Sequence, residues 1–435
     1  MKNPQPQSLE KLQESTLRDP GVKGKLWVSK VEIPSPPEDE TRQALFRAVD
    51  DLKDDSQAYI RPSCVPVGAE WTGYRASADK DSTLPSISEE EKYKSLMSET
   101  KSTTTILYFH GGAYYLMDLA AHRPLNSRLA KLTGGRTLSV RYRLAPQSAF
   151  PSQLLDALCA YLYLLHPPPG SFHSPVRSSD IVLAGDSAGG NLAFGLLQLL
   201  MQLHRTSPTN PPKILYHGTE IEVPLPAGIA CNSPWLDITR SPPSLESNAH
   251  TDYLPPPSKS SNVQFPTDRI WPTDPPRGDI FCDASMMDHP LASPLAFGEA
   301  DWKGAPPIFI CCGQELLTDE DAIVAGRAAR AGVKVRWEQF EAMPHCFAMI
   351  LEGLDASRRC LELWGESIKE MVEKGKEGLE TRGTWWAAKT MKESALDVKG
   401  LGSGWTEEEV RGWMKAAKEK RREGWEKEGK DLPKL

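Results

Sequence analysis

From Thr103 to Phe109 the chain reads Thr-Thr-Thr-Ile-Leu-Tyr-Phe, a β-branched and aromatic run without a charge, which predicts a strand buried on both faces. Downstream, short apolar runs at Thr137–Tyr142, Ile181–Ala184, Pro226–Cys231, Pro307–Cys312 and Val333–Phe340 alternate with stretches of helical period, notably Asn191–Leu203 and Asp355–Val372. In the latter, Cys360, Leu363, Trp364, Ile368 and Met371 recur at core-facing spacing. Such alternation predicts an α/β fold with a mostly parallel central sheet and helices on both of its faces.

Elsewhere the pattern weakens. Residues 1–60 are polar and Pro-rich with one helical patch at Thr41–Leu52, and read as an N-terminal arm forming part of a cap. Ser77–Lys101 is charged and serine-rich, which suggests an exposed loop. Pro, Ser and Asp accumulate between Pro242 and Asp283, and an irregular stretch of that length inside a compact domain is read as a lid. Residues 374–435 form a charged, helical tail in which Thr406-Glu407-Glu408-Glu409 is a capping box. Val410, Trp413, Met414 and Ala417 follow it at i, i+3, i+4 and i+7, so this helix is expected to dock on its own domain. The core then comprises residues 61–241 and 284–373.

Charge and composition narrow the function. A net charge of −7 and a pI near 5.8 offer no basic field for a phosphate backbone, so nucleic acid is not an expected partner. The first residues lack an apolar h-region, and no run approaches the roughly 20 apolar residues of a spanning helix. The expectation is a soluble, cytoplasmic protein without a transmembrane segment. Eight scattered cysteines form no C-x-x-C pair and read as reduced, buried thiols; no metal and no organic cofactor is implied.

Three stretches carry chemistry. Gly185-Asp186-Ser187-Ala188-Gly189-Gly190 follows one predicted strand and opens a helix, the setting in which a G-x-S-x-G serine sits on a sharp turn with its Oγ exposed. Ser187 is the candidate nucleophile. His110-Gly111-Gly112-Ala113-Tyr114 follows Phe109, and backbone N–H groups in such a loop can stabilise the oxyanion of acyl transfer. We assign the donors to Gly111, Gly112 and Ala188, with His110 as a brace. Met343-Pro344-His345-Cys346-Phe347 follows the last predicted strand, which makes His345 the candidate base. Carboxylates crowd Glu315 to Asp321; the strand-end position favours Glu315 over Asp319, and the remaining ones should be solvated or cap the next helix.

With Tyr142-Arg143-Leu144-Ala145-Pro146 and His289-Pro290-Leu291-Ala292-Ser293-Pro294 added, the chain resembles the hormone-sensitive-lipase-like carboxylesterases of the α/β-hydrolase fold. The resemblance spans about residues 100 to 350. It implies a triad acid about 30 positions before the histidine, which falls on Glu315 where the family has Asp. Ala113 stands where the family has a third glycine, and Gln147 replaces an acid. A cap built from the arm and the 242–283 segment is also implied, with Tyr114, Tyr115, Trp235, Tyr253 and Phe347 as pocket candidates. The implied activity is hydrolysis of short- to medium-chain esters of small apolar molecules, the partner being a small-molecule ester substrate. An amidase or formamidase would use the same triad. A non-catalytic small-ligand receptor, or a lyase or cyclase on the same fold, are further alternatives; such receptors lack the histidine that His345 supplies.

Overall fold

In a computed structural model, which describes residues 7–260 and 265–427, the chain builds one ten-stranded sheet flanked by helices. The first six positions of the arm, four of the 242–283 segment and the last eight of the tail lie outside the described residues.

Chain order runs β1 (Leu26–Ile33), β2 (Val67–Tyr74), β3 (Thr105–Phe109), β4 (Arg136–Val140), β5 (Ile181–Asp186), then a separate hairpin of β6 (Lys213–Tyr216) and β7 (Thr219–Glu222). It continues with β8 (Gly228–Asn232), β9 (Ile308–Gly313), β10 (Val335–Phe340), β11 (Arg382–Trp386) and β12 (Glu393–Leu396). Spatially the sheet is ordered β1-β2-β4-β3-β5-β8-β9-β10-β11-β12. From β4 to β11 every neighbouring pair is parallel, and the antiparallel pairs lie at the two edges. The predicted mostly parallel α/β-hydrolase sheet is the one observed.

The parallel strands are apolar on both faces because helices cover both. Ile106 and Tyr108 of β3 face the helix Asp355–Lys374 and its Trp364, while Leu107 and Phe109 face the opposite layer with Leu158 and Phe194. Gly185 and Gly189 let strand β5 meet the helix Ser187–Thr206: a Cβ on Gly189 would lie 2.0 Å from the carbonyl oxygen of Phe109.

Three expectations need correction at the edges, and a fourth region gains detail. The arm contributes β1, which pairs along its whole length with β2. Within Ser77–Lys101, Glu89–Glu99 is a helix, because Ser88 and Glu91 form a reciprocal capping box and Tyr93 and Leu96 anchor it. The tail holds two strands besides its helix. Trp386 of β11 stacks on Phe340 and donates from Nε1 to Glu338 at 2.8 Å, which fixes this short strand despite its charged surroundings. The helix Glu407–Lys427 buries Val410 and Met414 and pairs Lys418 with Asp288 and Arg421 with Asp279. Finally, residues 244–254 of the expected lid are bonded to the loop after β9, as described below.

Candidate active site

The carboxyl ends of adjacent parallel strands are where an open α/β sheet offers a crevice, because the connecting loops diverge there. All three sequence signals arrive at that edge: the glycine loop after β3, Ser187 after β5 and His345 after β10.

Ser187 follows β5 without a linking residue and has φ of 52°, a left-handed conformation that costs a non-glycine residue about 1–3 kcal/mol. Surrounding bonds enforce it. Its N–H donates to the carbonyl of Ser233 at 3.1 Å, and its own carbonyl accepts from Trp235 N–H at 2.9 Å. Ser187 is thus clamped to the loop after β8 while its side chain stays half-buried at the helix start.

The acid and the base meet directly. His345 Nδ1 hydrogen-bonds Glu315 Oε2, and both side chains are almost wholly out of solvent. Glu315 Oε1 accepts from Ser233 Oγ at 2.5 Å and from Gly313 N–H at 3.1 Å. Burial alone would lower the His345 pKa, but the charge and hydrogen bond of Glu315, with the more distant charges of Asp252 and Asp186, raise it above its ordinary value. The other imidazole nitrogen, Nε2, has Cys346 Sγ at 3.4 Å. Asp319 lies elsewhere, accepting the N–H of Ser244 at 2.8 Å.

Of the other carboxylates, expected to be solvated or to cap the next helix, Asp319, Glu320 and Asp321 all lie in its first turn, but two of them are not solvated. Glu320 and Asp321 are fully buried, and burial pushes both carboxyl groups well up from the ordinary carboxylate range. Glu320 accepts the N–H groups of Leu236 and Asp237, which ties the start of the helix Thr318–Arg330 to the segment after β8.

The glycine loop corrects the oxyanion assignment. Gly111 turns its N–H inward to Asp186 Oδ1 at 3.2 Å, and a Cβ there would lie 2.2 Å from the same carboxylate, so this donor is spent on the scaffold. Gly112 and Ala113, at φ of 107° and 53°, have N–H groups without an acceptor among the described residues. Ala188 sits in the first turn of its helix, where N–H groups have no preceding turn to bond. Beneath the loop, Asp186 is buried among Tyr108, which donates at 2.5 Å, and His122 at 3.2 Å. Burial opposes its ionisation, but the charge of His122 and these bonds hold it below its ordinary pKa. His110 stacks on Tyr142 with ring centroids 4.4 Å apart and bonds the carbonyl of Gly111 through Nδ1, the bracing position expected of it.

Two pocket candidates belong to the core. Tyr114 stacks on Phe281 at 3.8 Å and donates its hydroxyl to Asn191 at 2.5 Å. Phe347 is fully buried against Phe340. Both point away from solvent because their rings complete apolar layers around the sheet. Tyr115 and Trp235 stay half-buried, and Tyr253 is exposed with its ring 6.2 Å from that of His345. Sequence reasoning missed Ser233, which touches Ser187, Glu315 and the backbone after His345; its signal is position, directly after β8.

Residues 106–349 match the family described as having the alpha/beta hydrolase fold. An acetyl-hydrolase of Streptomyces hygroscopicus is 32% identical over 274 residues, which is 62% of this chain and 77% of the relative. The chain belongs to the α/β-hydrolase family. The hydrolase is also similar to an esterase of Acinetobacter venetianus, 28% identical over 61% of this chain and 75% of the relative. Among solved structures, a double mutant of the esterase E40 aligns with a TM-score of 0.52 and 25% identity over 77% of this chain and 93% of the other. EstE5 soaked with p-nitrophenyl butyrate aligns with a TM-score of 0.55 over 86% and 94%; at 21% identity that likeness is one of fold. No helix among the described residues of the hydrolase is long and apolar enough to cross a membrane.

Proposed function

We propose that this hydrolase is a serine carboxylesterase that cleaves short- to medium-chain esters of small apolar molecules through Ser187, His345 and Glu315. The reading rests above all on the buried hydrogen bond between His345 and Glu315, which Ser233 links to the left-handed Ser187. Ser187 Oγ attacks the ester carbonyl as His345 Nε2 takes its proton. Glu315 holds Nδ1 protonated and stabilises the imidazolium that forms. The N–H groups of Gly112, Ala113 and Ala188 receive the charge on the carbonyl oxygen. Collapse passes the proton to the departing alcohol and leaves an acyl-serine, and water, activated by the same imidazole, releases the carboxylic acid and restores Ser187. The acetyl-hydrolase relative supports a short acyl group.

Hydrolysis of p-nitrophenyl acetate, butyrate and decanoate by the native protein and by Ser187→Ala tests this. Turnover should favour the shorter esters and fall by about 10⁴-fold in the variant. An unchanged rate in Ser187→Ala removes the serine from the reaction.

A further inference from the structure

The first half of the 242–283 segment, expected as a lid, is bonded to the loop that carries Glu315. Ser244 Oγ donates to the carbonyl of Leu316 at 2.6 Å, Asn248 Nδ2 to that of Glu315 at 2.9 Å, and Thr251 Oγ1 to that of Gln314. Leu245 packs with Leu316 and Leu317 in a small apolar cluster of its own, with Trp235 and Leu254 at its margin. Residues 244–254 are therefore seated on the acid loop, with Asp252 near the end of the seat.

Asp252 does what none of its neighbours does. Its Oδ2 accepts the N–H of Leu316, directly after the acid, at 2.9 Å, and its Oδ1 accepts the N–H of His345 itself at 3.3 Å. One half-buried carboxylate thus spans the two loops that carry acid and base. Those loops already touch, since a Cβ on Gly313 would lie 2.0 Å from the carbonyl oxygen of Met343 and Gln314 Oε1 accepts the N–H of Ala342 at 3.2 Å. Rigid seating matters because a proton relay tolerates displacements of only about 0.5 Å.

We propose that Asp252 is a positioning residue of the triad, its carboxylate tying the acid loop to the base loop so that Glu315 and His345 stay in register through the proton transfers. This rests on the triad reading above. The charge of Asp252 also favours the imidazolium, together with Glu315 and Asp186, while among the described residues Tyr253 and Cys346 are further titratable groups beside that ring.

The test compares Asp252→Asn and Asp252→Glu with the native protein on p-nitrophenyl acetate across pH, with thermal melting as the folding control. In Asp252→Asn, kcat should fall about 10- to 100-fold with KM within about twofold, as expected when charge-assisted hydrogen bonds are weakened. The acidic limb should move to lower pH. Asp252→Glu keeps the charge but not the reach, so kcat should fall while the limb stays. A folded Asp252→Asn with native kcat and native acidic limb overturns the proposal; if that variant does not fold, native kcat in Asp252→Glu does so. The His345 imidazole titration, followed by NMR, separates this from the esterase reading. If the native protein hydrolyses no ester, the esterase reading fails, yet a downward shift of the His345 titration in Asp252→Asn still supports the inference and an unchanged titration sinks it.

Discussion

The two sides of the site are held in place by different means. On the nucleophile side, Ser187 and the glycine loop owe their position to backbone: left-handed residues, glycines pressed against carbonyls, and the buried Asp186 beneath. On the acid–base side, Gly313 is likewise pressed against the Met343 carbonyl, but the loops carrying Glu315 and His345 are joined by replaceable side chains as well, chiefly those of Ser233, Gln314 and Asp252. A backbone device fails all at once, because a clash under 3 Å cannot be relieved without moving a strand. A side-chain device can be weakened one bond at a time, at about 0.5–1.5 kcal/mol for an ordinary bond.

The sharpest break of that contrast is Gly189→Ala. Its Cβ would press on the Phe109 carbonyl, and the strand-to-helix contact would have to open. Loss of more than about 3 kcal/mol in denaturant unfolding, or failure to fold, is expected; native stability would show the elbow to be softer than drawn. Next comes Glu315→Gln, which keeps the shape and removes the charge. Turnover should drop about 10³- to 10⁴-fold by analogy with other triads, with little change in melting temperature. Because Glu315 raises the His345 pKa and the base acts when neutral, the acidic limb of kcat/KM should lie above the ordinary histidine value of 6.5 in the native protein and move down in the variant. Asp319→Asn should leave the pH profile in place; a larger loss there than in Glu315→Gln would exchange their roles. Smallest should be Tyr108→Phe and Ser244→Ala, one brace on each side, at about 1 kcal/mol each in unfolding. Tyr108→Phe should disturb kcat the less of the two, since backbone still holds the glycine loop, and the opposite ranking would erase the contrast.

What was legible in the sequence follows the same division. The central strands announce themselves because burial on both faces demands unbroken apolar runs, and the elbow because only glycines and alanine fit around Ser187. The edges did not, since β1 and β11 are mixed in polarity and held by partners far along the chain: Trp27 of β1 donates to Glu99, and Trp386 of β11 to Glu338. The helix Glu89–Glu99 was signalled by Ser88 and Glu91 alone, and its charge concealed it. Glu320 and Asp321 look solvated in a run of acids, and only the tertiary fold buries them. Ser233 and Asp252 act through bonds to residues far along the chain, for which no local spacing exists. Gly111 misled because a glycine loop says that N–H groups are available without saying where each one points.

The hydrogen bond between His345 and Glu315 has a further consequence for how the chain reaches its working state. The serine elbow needs only β3, β5 and β8 to close, whereas the relay needs β9 and β10 seated as well, and β10 is itself flanked by β11 from the far end of the chain. The relay thus needs the pairings of the elbow and two more non-local ones, β8 with β9 and β9 with β10, so it forms no earlier than the elbow. Recovered catalysis after dilution from denaturant therefore reports the full set of these strands, and comes no earlier than any signal that sees only the elbow.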